Sequence, residues 1–145
     1  MFFPEFLYQL SARDQQVTWL DPALRQEVSA VAAATLDFTA LTVPLGRALI
    51  LTNACLQAAP GAAQTVSDIQ LYARAPAPAT GNILIAAEEF AAIGTRWFLN
   101  WSGEIIIPPD WNVRGFALFN AGVAVNSLFV NLQGILIPVA NIQRL

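Results

Sequence analysis

The chain is 145 residues long, the size of one domain with a real core. It is 56% apolar and only 12% charged, about half the charged share usual in soluble globular chains. Its net charge of −3 sets ten acids against seven basic residues, all of them arginine, with no histidine and no lysine. That composition removes the side chain titrating nearest neutral pH, the usual Schiff-base amine and the imidazole metal ligand, and with them most enzyme chemistry.

The arginines, Arg13, Arg25, Arg47, Arg74, Arg96, Arg114 and Arg144, are scattered singly. They make no basic stripe, so no nucleic-acid partner is expected. A surface this poor in charge points instead to burial against copies of the chain or another protein.

In chain order, residues 1–33 read as an N-terminal arm. Met1-Phe2-Phe3-Pro4-Glu5-Phe6-Leu7 is apolar but lacks a basic leader and is broken by proline and glutamate, unlike a secretory signal. No uninterrupted apolar run reaches the ~18 residues of a membrane span, so a soluble, non-secreted product with no membrane partner is expected. Phe2, Phe3, Phe6, Leu7 and Tyr8 are too apolar for a free tail and are the candidate subunit or capsid contacts. Asp21-Pro22 offers a cap and a first-turn proline for a short helix carrying Leu24, Val28 and Val31 on one face. The competing reading makes Glu27 to Ala33 an extended strand, and alanine richness leaves both open.

From residue 34 to 145 the texture is that of an all-β domain: short apolar runs broken by Pro, Gly and Asn. Leu36, Phe38 and Ala40 alternate with polar neighbours, as in a strand with one buried face. Arg47 to Gln57 is nearly continuous in apolar character, as in a central strand. A Pro60-Gly61 loop precedes a strand over Val66 to Arg74, with Val66, Ile69, Leu71 and Ala73 apolar. The stretch Ala75 to Gly81 is a stiff connector. A short strand at Asn82 to Ile85 leads to a solvated turn or helical piece at Glu88-Glu89. Arg96 to Trp101 places Trp97, Leu99 and Trp101 on one face and Phe98 on the other. Glu104 to Ile107, Arg114 to Asn120 and Ser127 to Ile137 complete about eight strands, the number of a two-sheet sandwich or jelly roll.

A weak internal repeat supports two sheets. Val43-Pro44-Leu45-Gly46-Arg47 leads into an apolar strand that closes at Asn53-Ala54, and Ile107-Pro108, a longer turn and Arg114 lead into one that closes at Asn120-Ala121. Proline cannot donate to a ladder and marks a strand end, so each copy predicts a tight corner.

Little in the chain promises chemistry. Cys55 has no histidine to activate it and no second cysteine to pair with, and its apolar surroundings fit a buried thiol. Glu88-Glu89, Glu104 and Asp110 are the acids that could flank a glycosidic bond, with Trp97, Trp101 and Trp111 as sugar platforms. Scattered acids in so uncharged a chain serve solubility better, and the chain has no phosphate loop, dinucleotide fingerprint or nucleophile elbow. Trp97 and Trp101 share a register that suits the core, whereas Trp111, in Pro108-Pro109-Asp110-Trp111-Asn112, is the candidate surface contact for a ligand or partner. Asn100-Trp101-Ser102 matches a glycosylation sequon, which has no consequence in a chain not secreted. No catalytic residue, cofactor or metal is expected.

Thr42-Val43-Pro44-Leu45-Gly46-Arg47 with its apolar strand, the corner after Ile107-Pro108, and the closing Gly134-Ile135-Leu136-Ile137-Pro138 resemble the small jelly-roll structural proteins of tailed bacteriophage virions. The resemblance spans roughly residues 34–138 through short motifs that many sandwiches share. It implies a non-enzymatic capsid decoration, or cement, protein: a homotrimer on the virion surface, made in the host cytoplasm, whose partner is the major capsid protein. The alternative is a carbohydrate-binding virion module of a tail fibre or receptor-binding protein, with Trp111 as its platform. The expected fold is all-β: a jelly-roll-like antiparallel β-sandwich of about eight strands with an N-terminal arm that has room for a short helix.

Overall fold

The computed structural model describes residues 18–19, 25–31, 35–61, 65–87, 91–93, 95–120 and 125–139. The strands among them are β1 (Thr18–Trp19), β2 (Arg25–Val31), β3 (Thr35–Thr42), β4 (Arg47–Ala59), β5 (Val66–Arg74), β6 (Asn82–Ala86), β7 (Ala91–Ile93), β8 (Arg96–Ile107), β9 (Asn112–Phe119) and β10 (Val125–Pro138).

They form two antiparallel sheets. In the first, β10 lies between β4 on one side and β1 and β2, end to end, on the other, and the sheet continues through β8 to β7. The second runs β3-β9-β5-β6. Setting aside the short β1 and β7, the principal strands fall in the order first-eighth-third-sixth in one sheet and second-seventh-fourth-fifth in the other. That interleaving of two Greek keys is the jelly-roll order.

The strands face one another through alternating apolar residues. Leu49, Leu51, Leu56, Leu99, Ile107, Leu128 and Leu132 from the first sheet meet Ile69, Leu71, Val113 and Ala117 from the second, all nearly fully buried in one core. Leu→Ala truncation at such a position costs about 2–5 kcal/mol. Gly115 lets the two sheets pack tightly, since a Cβ there would stand 2.5 Å from Val130 Cγ2.

Irregularities at one level of the first sheet bend it. The β4–β10 register shifts between Gln133 and Gly134, where Thr52 is the extra residue of β4, and the β4–β8 register shifts at the same level, where Gly103 and Glu104 of β8 stand against Thr52 alone. Gly134 faces this bulge: a Cβ on it would lie 2.3 Å from the Ile50 carbonyl oxygen.

The two proline corners of the repeat become neighbours. The Val43-Pro44-Leu45-Gly46 turn joins β3 to β4 and the Pro108–Trp111 turn joins β8 to β9, each carrying the chain between sheets. They are tied by backbone hydrogen bonds, Val43 N–H to Trp111 O at 2.9 Å and Asp110 N–H to Val43 O at 2.8 Å. Gly46 (φ 77°) and Asp110 (φ 66°) take the left-handed conformation that lets each corner close.

One open reading is decided and one expectation changes. Of the helix and the strand left open after Asp21-Pro22, residues 25–31 form the strand. Pairing with β10 from Asn131 to Val125, with Val28 opposite Leu128, satisfies this backbone across the sheet and outweighs the local cap signal. The segments expected as separate strands, Arg96 to Trp101 and Glu104 to Ile107, are one strand of 12 residues. Gly103 does not break it but makes room beneath the Trp101 ring, 2.8 Å from where a Cβ would sit. The strand segments 18–19 and 25–31 of the arm drawn over 1–33 hydrogen-bond to β10. Phe2, Phe3, Phe6, Leu7, Tyr8 and the Glu88-Glu89 pair lie outside the described residues.

Candidate functional site

The densest polar cluster lies on the outer face of the second sheet, where β3, β9 and β5 run side by side. Register sets Arg114 of β9 between Thr39 of β3 and Tyr72 of β5. The Tyr72 hydroxyl donates to the Asp37 carboxylate, 2.7 and 2.8 Å from its two oxygens. Arg114 Nε reaches Asp37 Oδ1 at 3.1 Å and the Tyr72 oxygen at 3.0 Å, and Arg114 Nη1 donates to Thr39 Oγ1 at 2.6 Å. Arg114 Nη2 lies 3.1 Å from Asp37 Oδ1 in the ion pair of this cluster.

The electrostatics keep the Tyr72 phenol neutral and the Arg114 guanidinium charged. Burial, and then the hydrogen bond to Asp37, push the Tyr72 phenol up despite Arg114 pulling the other way. Burial would lower Arg114, but the Tyr72 oxygen and the Asp37 charge more than offset it, and the guanidinium stays charged. The result is a cross-strand tie of carboxylate, neutral phenol and cation. Neither the raised phenol nor the charged guanidinium serves as a base or nucleophile near neutral pH.

Beside the tie is a shallow concavity of about 360 Å³ lined by Gln70, Tyr72, Arg74, Asn82, Leu84 and Phe116. Arg74 is exposed, donates from Nη2 to the Tyr72 oxygen at 3.3 Å and stacks 5.5 Å from the Tyr72 ring centroid.

The outer face of the first sheet has a different chemistry. Around the Thr52 bulge a hollow of about 240 Å³ is lined by Asn53, Cys55, Asn100, Ser102, Asn131 and Gln133, with Ala54 and Trp101. Ser102 Oγ donates to Asn53 Oδ1 at 2.6 Å and Thr52 Oγ1 to the Gln133 carbonyl at 3.2 Å. Gln57 Nε2 and Asn131 Oδ1 are buried without hydrogen-bond partners, which costs stability. Cys55 is half-buried, and burial pushes its thiol up, away from the reactive thiolate.

Trp97 and Trp101 face inward with Leu99 and pack against the core. Trp111 is half-buried: part of it packs against the same core, and its backbone is held by both proline corners. Glu104 is exposed on β8 and Asp110 is exposed in the β8–β9 corner. Among the described residues no group of three or more His, Cys, Asp or Glu could hold a metal ion, and no helix is long and apolar enough to cross a membrane. The Asp37–Tyr72–Arg114 tie escapes a reading of the sequence, because each member sits at an ordinary outward position and only the strand order brings residues 35 to 77 apart together. The polar half of each alternating strand was its one visible signal.

No protein-family model matches the chain, and no curated protein matches it in sequence. Among solved structures it is similar to a chain in the structure of infectious bursal disease virus Gt strain, at 12% identity and a TM-score of 0.47, covering 88% of this chain and 34% of that one. It is similar also to a pentameric capsid protein from metagenomic phage sequences, at 9% identity and a TM-score of 0.35, covering 88% of this chain and 68% of that one. A third is the Drosophila NLP core, described for pentamer formation and histone binding, at 16% identity and a TM-score of 0.27, covering 78% of this chain and 97% of that one. The chain thus spans about a third of the length of the first structure. At these values the similarity bears no functional weight, and the jelly-roll assignment rests on the strand order itself.

Proposed function

We propose that this chain is a non-enzymatic structural protein of a virion, a decoration or cement protein that stabilises a phage head. It is made in the host cytoplasm, assembles as a homotrimer and binds the major capsid protein at the shell surface. The observation that carries the reading is a jelly roll whose surface exposes large apolar side chains, led by Leu45, Ile93 and Leu84 at 78%, 68% and 59% exposure. Exposed apolar groups in so uncharged a chain favour burial against other subunits. The Asp37–Tyr72–Arg114 tie supports the non-enzymatic part, since its groups are locked to one another. In this reading the contacts are made by the N-terminal Phe2, Phe3, Phe6, Leu7 and Tyr8. The glycan-binding alternative draws less support, because Trp111 spends part of its ring on the core.

The test uses shells assembled from the major capsid protein encoded in the same genome. Adding the chain should give a shell-bound species and raise the temperature at which shells break. Shells that neither bind it nor gain stability would rule the cement role out, and glycan-array binding lost in Trp111→Ala would favour the alternative.

A further inference from the structure

We infer that the concavity beside Arg74 and Leu84 receives the exposed β8 segment of a second copy, Glu104 meeting Arg74 and Ile106 meeting Leu84, so that copies join head to tail. The inference deepens the self-association proposed above and rests on it.

Each half pairs one charged side chain that has no ion-pair partner among the described residues with one exposed apolar side chain. On the receiving side, Arg74 uses one of its five N–H donors on the Tyr72 oxygen and makes no ion pair with the described residues. Leu84 is 59% exposed on β6, the edge strand of its sheet. It lies opposite Tyr72 and therefore diagonal to Arg74. Tyr72 and Phe116 give the concavity an aromatic floor.

On the presenting side, Glu104 is exposed and without an ion pair among the described residues, and Ile106, two residues on, is 47% exposed. The short β7 pairs only with residues Arg96, Trp97 and Phe98; further along, Leu99, Asn100 and Trp101 line a hollow with Leu84 to Ala87, and Glu104 and Ile106 lie beyond the residues lining it, with no neighbour strand among the described residues on this flank.

The spacings match. Two residues along a strand set side chains about 7 Å apart, and a diagonal pair across antiparallel strands is separated by about 7–8 Å. The opposite charges then fall together while the two apolar side chains meet.

Within one chain Leu84 shares a hollow with Leu99, Asn100 and Trp101 of β8, but no ion pair joins Arg74 to Glu104. Arg74 lies on the outer face of one sheet and Glu104 on the outer face of the other, and the two faces look away from each other. The surfaces are different, so the contact is heterologous, and repeating it with a rotation that closes builds a ring. An exposed ion pair adds little affinity on its own, so the apolar contact supplies most of the attraction and the charges set the orientation.

Charge exchange tests this. The full chain, Arg74→Glu, Glu104→Arg and the double variant are compared by sedimentation and native mass spectrometry over a concentration series. Thermal melts confirm that each is folded, as expected for exposed positions. Each single reversal should weaken assembly on the order of tenfold or more, and the double variant should restore it. Single variants that assemble like the wild type, or a double variant that stays apart, overturn the contact while leaving self-association standing. A wild-type chain that is monomeric at every concentration overturns both.

Discussion

At the scale of single residues the informative group is Tyr72. Its hydroxyl serves three partners, donating to Asp37 and accepting from Arg114 and Arg74. Phenylalanine at this position keeps the ring but removes the link between a carboxylate and two cations. Tyr72→Phe should lower stability by about 1 kcal/mol, read from the urea midpoint at neutral pH. The pH dependence follows from the direction of its shift. The folded state holds the phenol proton more tightly than the unfolded chain, so the stabilisation is complete below the ordinary value of 10.0 and drains away as pH rises through the higher folded value. The wild-type advantage over Tyr72→Phe should therefore shrink above about pH 10. An advantage constant through that range would show that the phenol's proton is not part of the tie.

At the scale of elements, the level where Thr52, Gly134 and Gly103 lie across three strands governs the shape of the first sheet. A bulge adds local twist and bends its strand; here β10 meets the Thr52 bulge with Gly134, while β8 has its own extra residue at Gly103-Glu104. Gly134 has least freedom to change, because the atom its Cβ would strike is a backbone oxygen of β4 rather than the end of a flexible side chain. Gly134→Ala should cost about 1–3 kcal/mol or more by forcing β10 away from β4. The loss should appear in equilibrium unfolding and in faster amide exchange along both strands. A stability change of a few tenths of a kcal/mol would mean that the sheet can slide to absorb a methyl group at this level.

The whole molecule presents two unlike faces. The second sheet turns outward a network of charge and phenol, and the first a hollow lined by amides and a thiol beside a bulge. Several of its exposed apolar side chains stand at a corner or on edge strands, Leu45 in the β3–β4 turn, Leu84 on β6 and Ile93 on β7. Under the cement reading, deleting residues 1–17, which precede β1, should leave the melting temperature of the sandwich within a few degrees while abolishing shell binding. The comparison is between shell sedimentation and thermal unfolding of the same preparation. Shell binding unchanged in the truncated chain would remove the N-terminal aromatics from the contact.

Most of the fold was legible in the order of residues because β-structure writes its buried face as an alternation with period two. Ile69, Leu71 and Ala73 announced β5, and the apolar run from Arg47 announced a central strand, found between β10 and β8. The two proline corners were legible because proline and glycine constrain the backbone locally. Composition alone removed histidine and lysine chemistry. What lay beyond the sequence were pairings between residues far apart in the chain. Local signals could not decide between helix and strand for residues 25–31, because the deciding hydrogen bonds come from β10. The same holds for the Asp37–Tyr72–Arg114 tie, for the corners of the repeat bonding to each other, and for the partial burial of Trp111. Propensity and periodicity act over a few neighbours, whereas register and sheet order are set by the simultaneous packing of the whole core, and only the tertiary structure carries that information.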